Sequence, residues 1–139
     1  MKRALLSLFG AAALAMPVVD VAQAAAKPKV SVVKKTVTGA DAQASRWGTI
    51  RVTLVVKKTT TVTGSKKKVT RSIVGVNVPV YPNHTDRSVY INQQALPYLI
   101  QETLHAQMNP NIQLVSGASD TSGAFVQSLQ SAILLAKKV

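Results

Sequence analysis

The stretch that decides the fold is IRVTLVVK, residues 50–57. Ile50, Val52, Leu54 and Val56 fall at every second position, and more polar side chains fill most of the positions between them. A period of two is that of a β-strand with one face buried and the other in solvent. We therefore predict a half-buried strand here.

A second alternating run, IVGVNVPV, follows at residues 73–80. Its four valines share one face, and Pro79 indicates that the strand ends there or lies at a sheet edge, because proline cannot donate to a ladder. Residues 57–71 between the two runs are rich in threonine and lysine around Gly64-Ser65, which predicts a long exposed hairpin. Its charges favour a solvated hairpin, and a binding surface is the alternative interpretation.

Helical spacing begins after a polar loop at residues 81–87. Apolar side chains then recur every three or four positions, at Leu96, Leu99, Ile100, Leu104 and Met108. Pro97 predicts the start of the main helical segment, since proline suits a first helical turn. The sequence Asn109-Pro110-Asn111 predicts its end.

The C-terminal part of the chain predicts a short strand and a last helix. Residues 112–115 are a brief run with apolar side chains, which we interpret as a strand. One face of the last helix is formed by Phe125, Leu129, Ala132, Ile133 and Ala136. The order of elements predicts an α+β fold, in which a small antiparallel sheet carries two helices from the C-terminal half.

Eight residues without a bulky side chain, Ser116 to Gly123, connect that short strand to the last helix. Gly117 and Ala118 would let backbone N–H groups approach an anion closely, and neighbouring hydroxyl groups would add donors at the positive end of the helix. This pattern is typical of a phosphate site. Serine, threonine and aspartate are also the preferred helix caps, so the residues alone leave both interpretations open.

The N-terminus has the pattern of a secretory signal peptide. Lys2 and Arg3 precede an apolar run from Ala4 to Met16, and small residues end in Ala22-Gln23-Ala24. The run is shorter than the roughly 20 residues of a membrane-spanning helix. We expect residues 1–24 to be removed and the protein to be exported to the periplasm, the cell envelope or the medium. The alternative is an uncleaved amphipathic helix.

The mature chain is strongly basic and contains one domain. Removal of residues 1–24 leaves 15 basic and four acidic side chains, a net charge of +11. About 115 residues suffice for one domain, and residues 25–39 have the composition of a basic N-terminal tail or edge strand before it. The chain has no cysteine, which excludes disulfides, thiol metal sites and a lipoprotein anchor.

Other classes of site have little support in the sequence. The acidic residues of the mature chain are scattered, which argues against a hydrolase with paired carboxylates. His84 and His105 lack a third ligand at a useful spacing, so we expect no metal site. The few aromatic residues are not interleaved with the basic run, so we expect no nucleic-acid partner.

The sequence VSGAS at residues 115–119, followed by Thr121-Ser122, resembles the C-terminal motif of the FMN-binding domain family. That family includes the flavin-bearing subunits of sodium-pumping NADH:quinone reductases and of Rnf complexes, and small secreted members. Arg46-Trp47-Gly48 and the pair Ile91-Asn92 are also similar to the small secreted members. The resemblance covers residues 40–136.

The resemblance implies an FMN-binding domain at residues 40–139. It implies that the flavin is held through its phosphate by Ser116, Gly117, Ala118, Ser119, Thr121 and Ser122. Ser119 occupies the position of the covalent attachment, where a flavin transferase that uses FAD forms a phosphodiester link. Gln113 replaces a common acidic residue and Asp120 adds one after the acceptor, so non-covalent FMN is an alternative.

The implied function is electron transfer outside the cytoplasm, as a carrier or redox subunit with a membrane redox partner rather than as a stand-alone enzyme. No side chain is expected to act as an acid or base, because the flavin carries the redox chemistry. The rival hypothesis is a basic envelope-binding module of the same fold without flavin. In that case Lys66, Lys67 and Lys68 would contact an anionic surface.

Overall fold

The computed structural model describes residues 27–139, and the predicted signal peptide lies outside them. The elements are strands β1 (Lys29–Thr38), β2 (Ala42–Gln43), β3 (Thr49–Thr63) and β4 (Lys66–Val80), and helices α1 (Asp86–Ala106) and α2 (Ser119–Ala136). The prediction of an α+β fold, with an antiparallel sheet and two helices in the C-terminal half, is confirmed. Neither helix combines the length and apolar character that a membrane crossing needs.

Strand β3 is the centre of the sheet, since β1, β2 and β4 all pair with it. β1 and β2 follow one another along one edge of β3. Gly39 N donates to Val52 O at 2.8 Å, and Ala42 lies opposite Ile50. β4 pairs with β3 through the predicted hairpin, which turns at Gly64-Ser65. The segment predicted as a basic tail or edge strand thus contributes β1.

The described chain divides into two compact units, and β1, β3 and β4 contribute residues to both. Of the described residues, 27–31 and 60–68 belong to the first unit, and they include the hairpin turn. The second comprises residues 32–59 and 69–139, and it holds the apolar core. Alternation in β3 predicted the sheet side of that core correctly: Ile50, Val52, Leu54 and Val56 are all fully buried.

The predicted inward face of β4 is wrong at one end. Val78 is buried as predicted, but Val74 is 43% exposed and Ile73 is buried in its place. The alternation therefore shifts by one residue between these positions, as it does at a β-bulge. The side chain of Gln107 binds the backbone here: its amide accepts from Ile73 N at 2.7 Å and donates to Ile73 O at 3.1 Å.

Helix α1 begins well before the predicted start at Pro97, which lies inside it. The Thr85 side chain caps the helix by accepting from Ser88 N at 3.0 Å. A proline inside a helix removes one hydrogen bond, at a cost of about 3 kcal/mol. The neighbouring Leu96 and Leu99 are buried, and their burial offsets much of that cost.

The predicted strand at residues 112–115 is wrong, because this segment is irregular. Its backbone N–H groups bind locally rather than in a ladder: Ile112 N donates to Pro110 O at 2.9 Å, and Val115 N donates to Ser122 Oγ at 3.0 Å. The apolar face of α2 is confirmed. Each of its members is at most 2% exposed, namely Phe125, Leu129, Ala132, Ile133 and Ala136.

Candidate functional site

A cleft of about 240 Å³ opens beside the N-terminal turns of both helices. This volume is smaller than the roughly 300–1,000 Å³ that sites for whole small molecules occupy, so the cleft suits part of a nucleotide with the remainder in solvent. All of its lining lies in the second unit. The lining residues are Trp47, Pro82, Arg87, Ser88, Ile91, Asn92 and residues 117–121.

The loop before α2 is a tight turn that brings small residues to the cleft. Ala118 N donates to Val115 O at 3.1 Å, which closes the turn. Gly117 has φ +82°, a left-handed conformation that a side chain would strain. Ser122 Oγ accepts from Val115 N and so ties the turn to the first turn of α2. The glycine predicted from the motif is therefore required by the backbone.

The hydroxyl groups of this loop do not cap α2, so the capping interpretation is wrong. The residue at the cap position is Ala118, and no side chain of the described residues forms a cap hydrogen bond there. The N–H groups of a first helical turn have no partner within the helix and carry its positive partial charge. The start of α2 is therefore chemically suited to accept an anion from the cleft.

The structure brings most of the predicted site residues together, but not all of them. Gly117, Ala118, Ser119 and Thr121 line the cleft. Ser119 is exposed in the first turn of α2. Ser116 is exposed outside the lining, and Ser122 is fully buried with its oxygen bound to Val115 N.

The start of α1 contributes a second positive helix end, which the sequence interpretation missed. Arg87 and Ser88 belong to the first turn of α1 and line the same cleft as residues 117–121. The predicted polar loop at residues 81–87 is wrong at its end, because Asp86 and Arg87 already belong to α1. Thr85 followed by Asp86 is a pattern of a helix start, and it could have revealed this turn.

Trp47, Pro82 and Ile91 give the cleft an apolar wall. Trp47 closes a short 3-10 helix, in which its N–H donates to Ala44 O at 3.0 Å. The Arg46 guanidinium lies 5.0 Å from the centre of the Trp47 ring, a cation–π distance. The resemblance included this tryptophan, but only the fold places it beside the loop at residues 117–121.

Asn92 connects the walls of the cleft through two short hydrogen bonds. Its Oδ1 accepts from Thr121 Oγ1 at 2.8 Å, and its Nδ2 donates to Pro82 O at 2.7 Å. Its side chain is nearly fully buried. One residue of α1 thereby fixes both the first turn of α2 and the segment that precedes α1.

The charged side chains of the cleft lining are Arg87 and Asp120. An ion pair lies outside the lining: Arg51 Nε donates a hydrogen bond to Asp41 Oδ1 at 2.5 Å. This hydrogen bond lowers the pKa of the Asp41 carboxyl and raises the pKa of the Arg51 guanidinium. Among residues 27–139, no group of three or more His, Asp or Glu side chains is arranged to hold a metal ion.

Comparisons of the chain with protein-family models, with curated proteins and with solved structures find no match.

Proposed function

We propose that this protein is an exported FMN-binding electron-transfer protein that holds the flavin through its phosphate in the cleft. The observation that carries the proposal is the convergence of two helix N-termini and Arg87 on one cleft. Positive helix ends and an arginine are the groups that bind phosphate in proteins. The same cleft has an apolar wall, so it suits a phosphate attached to an aromatic group.

The phosphate is proposed to lie at the start of α2. The backbone N–H groups of residues 119–121 and the Arg87 guanidinium would donate to it. Ala118 leaves these N–H groups without a side-chain cap, in contrast to α1, where Thr85 provides one. Asp120 lies in the same turn, and its charge would weaken phosphate binding without abolishing it, because it is exposed to solvent.

The isoalloxazine ring is proposed to extend from the phosphate toward Trp47 and Ile91. Bound flavin would supply the redox chemistry, and the protein would orient the ring and exclude water from part of it. A redox partner in the membrane would exchange electrons with the ring.

We propose covalent attachment at Ser119, an exposed residue that lines the cleft. A flavin transferase would transfer the FMN half of FAD to Ser119 Oγ. The bond between serine oxygen and phosphorus forms, the pyrophosphate bond of FAD breaks, AMP leaves and the hydroxyl loses its proton. Serine can serve as well as threonine, because the bond is made by the hydroxyl oxygen.

The test is export of the protein together with a flavin transferase, followed by denaturing electrophoresis and intact-mass measurement. Wild type and Ser119→Thr should retain flavin fluorescence on the gel, and Ser119→Ala should lose it. Ser116→Ala is the matched control, because this serine lies outside the cleft lining and should behave as wild type. A colourless wild-type product that also fails to bind added FMN would exclude the flavin function.

The second candidate function is the envelope-binding module without flavin. It is favoured by the exposure of Lys66, Lys67 and Lys68. In that case the protein would bind an anionic envelope surface whether or not Ser119 is present. Binding of the wild-type protein to an anionic envelope surface, together with the absence of flavin from it, would support this second function.

A further inference from the structure

We propose that the described part of the first unit, residues 27–31 with 60–68, is a docking surface for an anionic lipid bilayer; this proposal rests on the second candidate function and names the surface that it would bind. Its described residues include five lysines and no acidic residue. All the acidic residues among residues 27–139, namely Asp41, Asp86, Glu102 and Asp120, belong to the second unit. The positive charge of these described residues is therefore not compensated by an acidic side chain among them.

Exposed apolar side chains accompany these lysines. Val30 is 60% exposed and Val62 is 36% exposed, although valine is usually a buried residue. Lys66, Lys67 and Lys68 follow the turn directly and are all exposed. A surface with both lysines and apolar groups matches the bilayer interface, where ammonium groups meet phosphate and apolar groups meet the acyl boundary.

The chemistry of the first unit favours lipid over other polyanions. A soluble wall polymer would bind the lysines but would gain nothing from the exposed valines. A defined phosphate or carboxylate ligand is usually bound by arginine, whose planar group makes paired hydrogen bonds, and the described part of this unit contains none. Lysines on a strand edge also prevent pairing with other chains, but that role does not require three in succession.

The experiment is sedimentation of the protein with vesicles of phosphatidylglycerol and phosphatidylcholine, compared with vesicles of phosphatidylcholine alone. We expect binding to the anionic vesicles only. Each lysine near such a surface contributes about a fivefold change, so the variant K66Q/K67Q/K68Q should bind about 100-fold more weakly. The control K58Q/K137Q/K138Q removes the same net charge outside the first unit and should change binding by less than about fivefold.

A second variant separates lipid from a soluble polyanion. Val30→Thr with Val62→Thr keeps the β-branched shape and the charge, and it should weaken vesicle binding several-fold without altering binding to polyglutamate. The proposal would be overturned if the two lysine variants lost vesicle binding equally, or if the valine variant bound vesicles as the wild type does. Failure of the wild-type protein to bind anionic vesicles would also overturn it. None of these outcomes bears on flavin attachment, because the first unit contributes no residue to the cleft.

Discussion

Asn92 joins two parts of the cleft lining through its side-chain amide. Both polar atoms of its amide have a partner, Thr121 in α2 and the Pro82 carbonyl before α1. Pro82 and Thr121 are far apart in the sequence, and the Asn92 amide connects the two segments that contain them. Asn92 is therefore a positioning residue, which holds the start of α2 in place for a bound phosphate.

We predict that Asn92→Leu lowers the free energy of unfolding by about 2–4 kcal/mol, because it leaves two buried polar groups without a partner. Urea denaturation measures the change. Gln94→Leu on the exposed face of the same helix is the control and should shift the midpoint little. A midpoint for Asn92→Leu equal to that of the control would mean that the two hydrogen bonds contribute no net stability.

Trp47 is the only tryptophan of the chain, which makes it a specific reporter of the cleft. We predict that FMN bound without covalent attachment quenches its fluorescence, because the proposed ring position lies beside the indole. The measurement is a fluorescence titration of Ser119→Ala with FMN. Inorganic phosphate, which fills the anion position without a ring, is the control and should displace FMN without quenching. Binding of FMN without quenching would place the ring elsewhere.

Helix α2 packs against the sheet where β1 ends and β2 has not yet begun. Ser128 Oγ accepts from Val52 N at 2.8 Å, and Ser131 Oγ accepts from Ala40 N at 2.8 Å. Two serines of α2 thus accept hydrogen bonds from backbone N–H groups near the gap between β1 and β2. The approach is close enough that a Cβ on Gly39 would overlap the Ser128 carbonyl oxygen and come within 2.9 Å of its Oγ.

A pair of glycine substitutions tests this packing. Gly39→Ala should lower the free energy of unfolding by about 1–3 kcal/mol, since the helix must shift to admit a methyl group. Gly123→Ala lies in α2 with open space around it and should raise stability by about 0.5–1 kcal/mol, the difference in helix propensity. Thermal unfolding measures both. Equal shifts for the two variants would contradict the close approach at Gly39.

Pro97 inside α1 indicates that packing, rather than local preference, maintains this helix. We predict that Pro97→Ala raises the free energy of unfolding by about 1–3 kcal/mol, because the helix regains the missing hydrogen bond. Gln101→Ala, exposed on the same helix, should change stability much less. If chemical denaturation gives no increase for Pro97→Ala, the proline must contribute contacts that compensate for the lost bond.

At the scale of the whole molecule, the net charge of +11 after residue 24 should affect the flavin. A positive protein stabilises the negatively charged reduced flavin, so we predict that the midpoint potential falls as salt is added. The measurement is a redox titration between about 10 mM and about 1 M salt, over which the Debye length falls from about 30 to about 3 Å. Free FMN in the same buffers is the control, and a protein curve parallel to it would contradict the prediction.

The sequence by itself determined the features that depend on local periodicity. Alternation in β3 predicted its buried face, and three- and four-residue spacing predicted the buried face of α2, because each pattern reflects backbone geometry within one element. The loop at residues 116–119 was also recognisable, because glycine and small hydroxylated residues have strong local preferences.

Only the tertiary structure decided which residues share the cleft. Arg87 and Trp47 are distant from residues 117–121 in the sequence, and no local pattern pairs them. The Ile73 side chain is buried where the backbone of Ile73 forms hydrogen bonds with the Gln107 side chain. The physical reason is the same in each case: a long-range contact depends on how the elements pack, and packing reflects the whole chain rather than one segment of it.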